Sequence, residues 1–184
     1  NKPKKVIIDL RGNPGGYMHV ADCITGLFVG GDLPVSQILD VEPFKDPAKK
    51  ANPPMVFFSP AQPSIIYLGP IVVLVNASSA SASEVLSTAF KDYDRAIIVG
   101  ERTHGKGSAQ TENDQIPELK DVVLVATHNY WVSPSGSSIQ ARGLNPDIEV
   151  YSRPDFTDFR EGESLEAYTS WLGVAAFEKP LLLD

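Results

Sequence analysis

Three short apolar runs constrain this chain more than any other feature. VIIDL (6–10), IVVLVN (71–76) and AIIVG (96–100) are rich in β-branched residues and lack polar alternation. Runs of that kind suit strands buried on both faces, as in a parallel sheet. Between the first two lies YMHVADCITGLFV (17–29), with apolar residues at 17, 20, 21, 24, 27 and 28, which is a helical period. Between the second and third lies SEVLSTAFKDY (83–93), with an apolar stripe at 82, 85, 86, 89, 90 and 93. Strands alternating with helices predict an α/β fold with at least partly parallel pairing.

The remaining elements are read more coarsely. VSQILDV (35–41), SIIYL (64–68) and VVLVATHNYWV (122–132) are further strand candidates, and SPSG (133–136) reads as a turn. Residues 42–63 hold six prolines and read as a surface excursion. ERTHGKGSAQ (101–110) reads as a glycine-punctuated loop, and the charged tail from 151 as carrying a short helix near 163–173.

The 184 residues fit one domain with a sizeable core. Hydrophobic residues at 42% and charged residues at 21% are globular proportions. A formal charge of −7 disfavours binding to phosphate backbones, so nucleic acid is not an expected partner. No apolar run reaches the roughly 20 residues that span a bilayer. The opening NKPKKVIIDL, a basic cluster running straight into a strand, reads as a domain cut from a longer precursor. Cys23 is the one cysteine, which rules out an internal disulfide, and its apolar setting reads as a core position.

Chemistry is concentrated at NASSASASEV (76–85), where Ser78, Ser79, Ser81 and Ser83 are separated only by alanines. A buried strand, a run of small residues and then a helix present side chains at a helix N-terminus. Free backbone N–H groups and the helix dipole favour negative charge there. A serine on that turn is placed for acyl transfer, because neighbouring N–H groups can hold a tetrahedral oxyanion. The competing reading is a helix cap: Ser81 and Glu84 form S-x-x-E, a capping-box pattern. The G-x-S-x-G elbow is absent.

An attacking serine needs a base. Of the three histidines, His19 falls in the first helix and His128 in the long strand, while His104 in the glycine loop is the one candidate. The alternative is a lysine. A lysine base must lose its proton, which from an ordinary value of about 10.4 requires a fall of roughly 3 units, about 4 kcal/mol. Lys106, between Gly105 and Gly107 just after a buried strand, is the lysine whose backbone can enter a tight site.

These blocks together resemble the C-terminal processing peptidases, also called tail-specific proteases. DLRGNPGG (9–16), VLVNASSASASEV (73–85), KDYDRAIIVGERTHGKGSAQ (91–110) and GSSIQARGLNPDIEV (136–150) follow that family's blocks in its order. The resemblance implies an α/β fold like the Clp-protease and crotonase folds, with a mixed sheet and flanking helices. It implies a serine–lysine dyad and no metal or cofactor. The nucleophile falls on Ser81, the general base on Lys106 and the glutamine that helps hold that lysine on Gln110. The oxyanion donors fall on the N–H groups of Gly16 and Ala82, and a family aspartate on Asp92, as a supporting residue. Polypeptides are the implied substrates and an extracytoplasmic space, such as the periplasm, the implied location.

On this reading residues 1–150 are a peptidase core and 151–184 a tail. The helical region, PDZ domain and further strands that precede the core in the family are absent from this stretch. Asp94 stands where the family has a glycine, and aspartate tolerates left-handed geometry better than most residues. His104 replaces the usual residue before GKG. The alternatives are a non-proteolytic ligand-binding or interaction module of the same fold, or an inactive fragment.

Overall fold

The computed structural model describes residues 3–39, 48, 50, 52–61, 65–113 and 123–151. In chain order the elements are β1 (Val6–Asp9), α1 (Met18–Val29), β2 (Pro34–Leu39), β3 (Met55–Phe58), β4 (Ile71–Val75), α2 (Ala82–Asp92), β5 (Ile97–Gly100), β6 (Ser108–Asn113), β7 (Leu124–Val132) and β8 (Ile148–Glu149). Parallel and antiparallel pairings both occur, divided between two four-stranded sheets. The order β1-β4-β5-β8 is parallel throughout, and β3-β2-β7-β6 is antiparallel throughout.

The three β-branched runs are consecutive neighbours in the parallel sheet, with β1 at its edge and β4 and β5 inside it. Their register, Ile8 beside Val73 and Val73 beside Ile98, stacks one row that is fully buried at Val73 and Ile98 and partly buried at Ile8. Ile7 and Ile97 on the other face are exposed, so β1 and β5 are not covered on both faces as the sequence suggests. The buried row meets the apolar stripe of α2, where Val85, Leu86, Ala89 and Phe90 are buried with Ile71, Val73, Val75 and Ile98. α1 joins it through Phe28, whose ring meets Phe90 edge-on at 5.8 Å. Truncating a side chain as buried as Phe90 costs about 3–5 kcal/mol. Trp131 of β7 and Val35 of β2 extend the same core towards the second sheet.

α2 ends where its sequence can turn. Asp94 adopts φ 50, and the Arg95 N–H returns to the Phe90 carbonyl at 2.8 Å. This left-handed exit occupies the position where the resembled family carries glycine. The Arg95 guanidinium then donates to the carbonyls of Tyr67, Phe28 and Gly69 at 2.6, 2.7 and 3.0 Å.

That clamp explains one departure from the sequence reading. SIIYL is not a strand: its described residues run as a loop into Pro70, held by Arg95 and by the Ile66 N–H donating to the Leu27 carbonyl. A second departure is β3, a strand inside the proline-rich excursion that pairs with β2 and not with the parallel sheet. A third is β6, whose polar SAQTEN takes its strand form from pairing with β7. Cys23 is exposed, because α1 turns Ala21, Asp22, Thr25 and Gly26 inward. The expected helix near 163–173 lies outside the described residues.

Candidate active site

β1 and β4 are parallel neighbours, so their carboxyl ends lie side by side. In open α/β sheets that edge is where ligands bind. β1 runs into the glycine loop Leu10–Gly16 and β4 into the serine turn Asn76–Ser81. The two loops are stitched together. Asn76 Oδ1 accepts the Gly12 N–H at 2.9 Å, and Ser79 Oγ donates to the Leu10 carbonyl at 2.7 Å. The Ala80 N–H donates to the Asn13 carbonyl at 3.1 Å.

Ser81 sits at the junction of turn and helix with φ 54 and ψ −119. A non-glycine residue held there stores strain of about 1–3 kcal/mol, and such residues cluster at functional sites. Gly15 explains how the loop reaches it. A Cβ on Gly15 would stand 2.6 Å from the Ala80 carbonyl oxygen and 2.8 Å from both the Ala82 nitrogen and Ser81 Cβ. Only a bare α-carbon fits against the serine turn at that point. Among the described residues, the N–H groups of Gly16 and Ala82 donate to no protein acceptor.

Glu84 joins this turn to the lysine loop. Its side chain is 0% exposed. Oε1 accepts the Thr103 hydroxyl and the Gly105 N–H, the latter at 2.7 Å, and Oε2 accepts the N–H groups of Ser81 and Lys106, each at 2.9 Å. Burial pushes the Glu84 carboxyl above the ordinary carboxylate range, and the donors, Thr103 first, pull it back. Thr103 in turn holds the 142–145 loop, its Oγ1 accepting the Leu144 N–H at 2.7 Å.

Ser81, Lys106, Gln110 and Gly16 line one open cleft of about 440 Å3, with Tyr17 and Met18 of the α1 entry and Ser108 and Ala109 of β6. Ser81 and Lys106 share that cleft without a direct side-chain hydrogen bond among the described residues. Gly16 and Tyr17 also border a smaller hollow of about 150 Å3, lined by Leu10, Val20, Ala21, Ile24, Leu86 and the small residues Ala82 and Ser83.

The other candidates lie elsewhere. Asp92, at the far end of α2 (~15 Å along the helix), accepts Ser133 Oγ at 2.6 Å and the Ser135 N–H at 2.8 Å, which pins the SPSG turn. The His104 N–H donates to the Ser79 carbonyl at 3.0 Å, and His19 stacks near Tyr17 at 5.5 Å. Neither histidine lines the cleft with Ser81. The His128 side chain lies outside the described features. In the sequence Glu84 reads as a cap alone. The Ser81 N–H does bind it as a cap would, but its bonds to residues 103, 105 and 106 are invisible in S-x-x-E.

A glycine loop, a strained serine at a helix start and a lysine thus border one cleft at the carboxyl edge of the parallel sheet. Residues 1–150 match the model of peptidase family S41, and the chain belongs to that family. It is 37% identical over 150 residues to a carboxy-terminal-processing protease of Bartonella bacilliformis, covering 82% of this chain and 32% of that one. It is 38% identical over 144 residues to the chloroplastic carboxyl-terminal-processing peptidase 3 of Arabidopsis thaliana, covering 78% and 25%. The photosystem II D1 C-terminal processing protease has a similar structure, with a TM-score of 0.65 at 30% identity over 80% of this chain and 35% of that one. The chain thus spans about a third of the length of such relatives. No helix among the described residues is long and apolar enough to cross a membrane.

Proposed function

We propose that this chain is the catalytic core of a serine endopeptidase that works through Ser81 and Lys106 on unfolded or C-terminally tagged polypeptides. The observation that carries the reading is the shared cleft: Ser81, Lys106 and Gln110 face one opening beside Gly16. The Lys106 amine takes the proton from Ser81 Oγ as that oxygen attacks a peptide carbonyl and returns it to the leaving amine. Water, deprotonated by the same amine, then hydrolyses the Ser81 ester, and the amine gives the serine its proton back. Catalytic hydrogen bonds commonly tighten only when substrate binds, which fits an open Ser81–Lys106 pair. The oxyanion is received by the uncommitted N–H groups of Gly16 and Ala82, each worth about 100- to 1000-fold in turnover. Gln110 orients the lysine, and Asp92 acts at a distance through the SPSG turn.

The smaller hollow lies against the same glycine loop and is suited to an aliphatic side chain on the carbonyl side of the scissile bond. Relatives from a bacterium and a chloroplast support an extracytoplasmic setting. The test is Ser81→Ala and Lys106→Ala in the full-length protein, read by peptide turnover and by a serine-directed fluorophosphonate. Turnover should fall by about 1000-fold or more in each variant. Turnover within a few-fold of the parent in Lys106→Ala removes the dyad. Absence of Ser81 labelling in the parent favours a binding module.

A further inference from the structure

We propose that Ser83 is a positioning residue that sets the spacing of the two oxyanion donors. The inference rests on the acyl-transfer reading above and deepens it. The donors come from separate segments: Gly16 from the loop after β1, Ala82 from the first turn of α2. An oxyanion needs both N–H groups about 2.7–3.1 Å from a single point. Something must therefore hold loop and helix in register.

Ser83, only 4% exposed, projects its hydroxyl out of the first turn of α2 and donates to the Asn13 carbonyl at 3.1 Å. The same carbonyl accepts the Ala80 N–H at 3.1 Å. On the loop side, Asn13 Oδ1 accepts the Gly15 N–H at 3.0 Å. One residue thus takes two hydrogen bonds from the serine segment, on either side of Ser81, and fixes the loop immediately before Gly16. Gly15, with no side chain, lets the two segments close to contact.

The division of labour follows from the chemistry. Without the Ser83 hydroxyl, the Asn13 carbonyl still has the Ala80 N–H, so no buried acceptor is orphaned and the fold survives. What is lost is the bond that fixes the loop to the helix beyond Ser81. A misplacement on the order of 1 Å at a reacting centre costs about 100-fold. Ser83 acts through Gly16 and Ala82 and is not itself required to touch the reacting atoms.

The experiment compares Ser83→Ala with the parent and with Ser81→Ala in the full-length protein. It measures kcat and KM on a peptide substrate, and the affinity for a peptide aldehyde against the matching peptide acid. The aldehyde forms a tetrahedral adduct with Ser81 that uses the oxyanion donors, and the acid does not. Ser83→Ala should lower kcat by about tenfold or more, leave KM within about twofold, and weaken the aldehyde by about as much as kcat while sparing the acid. If Ser81→Ala abolishes turnover while Ser83→Ala keeps the parent's kcat and aldehyde affinity, the positioning role is overturned and the peptidase reading stands. If Ser81→Ala keeps turnover, the peptidase reading falls and this role with it. Should Ser83→Ala fail to fold, the same readouts on Ser83→Cys decide, because its thiol keeps the shape but is a weak donor to the Asn13 carbonyl; an unchanged kcat and aldehyde affinity overturns the role.

Discussion

The backbone N–H groups of Ser81 and Lys106 end on one oxygen, Oε2 of Glu84, each at 2.9 Å. The two proposed dyad residues are 25 positions apart in the chain, and their separation in space is set by a carboxylate that is itself sealed from water. Replacing Glu84 with alanine leaves four donors facing a void. We expect a loss of about 3–5 kcal/mol, read by denaturant or thermal unfolding. Glu84→Gln keeps the shape but turns an amide N–H towards backbone donors. It should cost less stability yet lower turnover and fluorophosphonate labelling of Ser81 by about tenfold or more. Parent-like labelling in Glu84→Gln would mean that the carboxylate does not set the site.

Gly15 offers a sharper steric test. Its φ of +99 disfavours any side chain, and an added methyl would press on Ala80, Ser81 and Ala82 at 2.6–2.8 Å. Those contacts are mainly backbone, so the loop must move. Gly15→Ala is expected to lower stability by about 2 kcal/mol or more and to remove labelling of Ser81 even in the fraction that stays folded. A folded, fully reactive Gly15→Ala would show that the loop need not approach the turn so closely.

Much of this architecture was legible because its signals are local. The β-branched runs became the parallel neighbours β1, β4 and β5, and the stripe from Val85 to Phe90 became the buried face of α2. What sequence hid depended on partners far along the chain. Ile65 and Ile66 look like strand residues, but the region follows the Arg95 clamp and the carbonyl of Leu27. Met55–Phe58 and Ser108–Asn113 become strands because β2 and β7 offer open edges. The same limit applies at the site. The strained turn at Ser81 was foreshadowed by a run of small residues at a helix start. The wider reach of Glu84 was not, since three of its four donors belong to residues 103–106.

The small hollow makes a specificity prediction. Its walls are mostly apolar, with Asn13 and Ser83 the polar exceptions, and its roughly 150 Å3 accommodate an aliphatic chain better than an indole. Peptides carrying alanine, valine or leucine on the carbonyl side of the cleaved bond should exceed those carrying tryptophan or aspartate in kcat/KM by about tenfold or more. Val20 lies on the wall and is partly exposed, so Val20→Phe can narrow the hollow with little cost to the core. It should penalise leucine more than alanine. An unchanged ranking would assign the carbonyl-side residue to another surface.

Asp22 gives a pH dependence whose sign is fixed by its burial. It lies in α1, is 6% exposed, and its Oδ1 has no hydrogen-bond partner. Burial raises its pKa from 3.8 to about 6, against a small opposing pull from His19 one turn earlier. The folded-state value is above the unfolded one, so the fold favours the protonated form. The contribution is fully present below about pH 4 and is lost as pH rises through about 6, because the folded protein must then hold an ionised, poorly solvated carboxylate. Asp22→Asn removes that penalty. It should raise stability at pH 7.5 by about 1–3 kcal/mol and flatten the stability profile between pH 4 and 7. Unfolding curves for parent and variant across that range measure both effects. A parent whose stability climbs between pH 4 and 7, with Asp22→Asn no more stable at pH 7.5, would show that the carboxylate finds solvent or a partner in the folded protein.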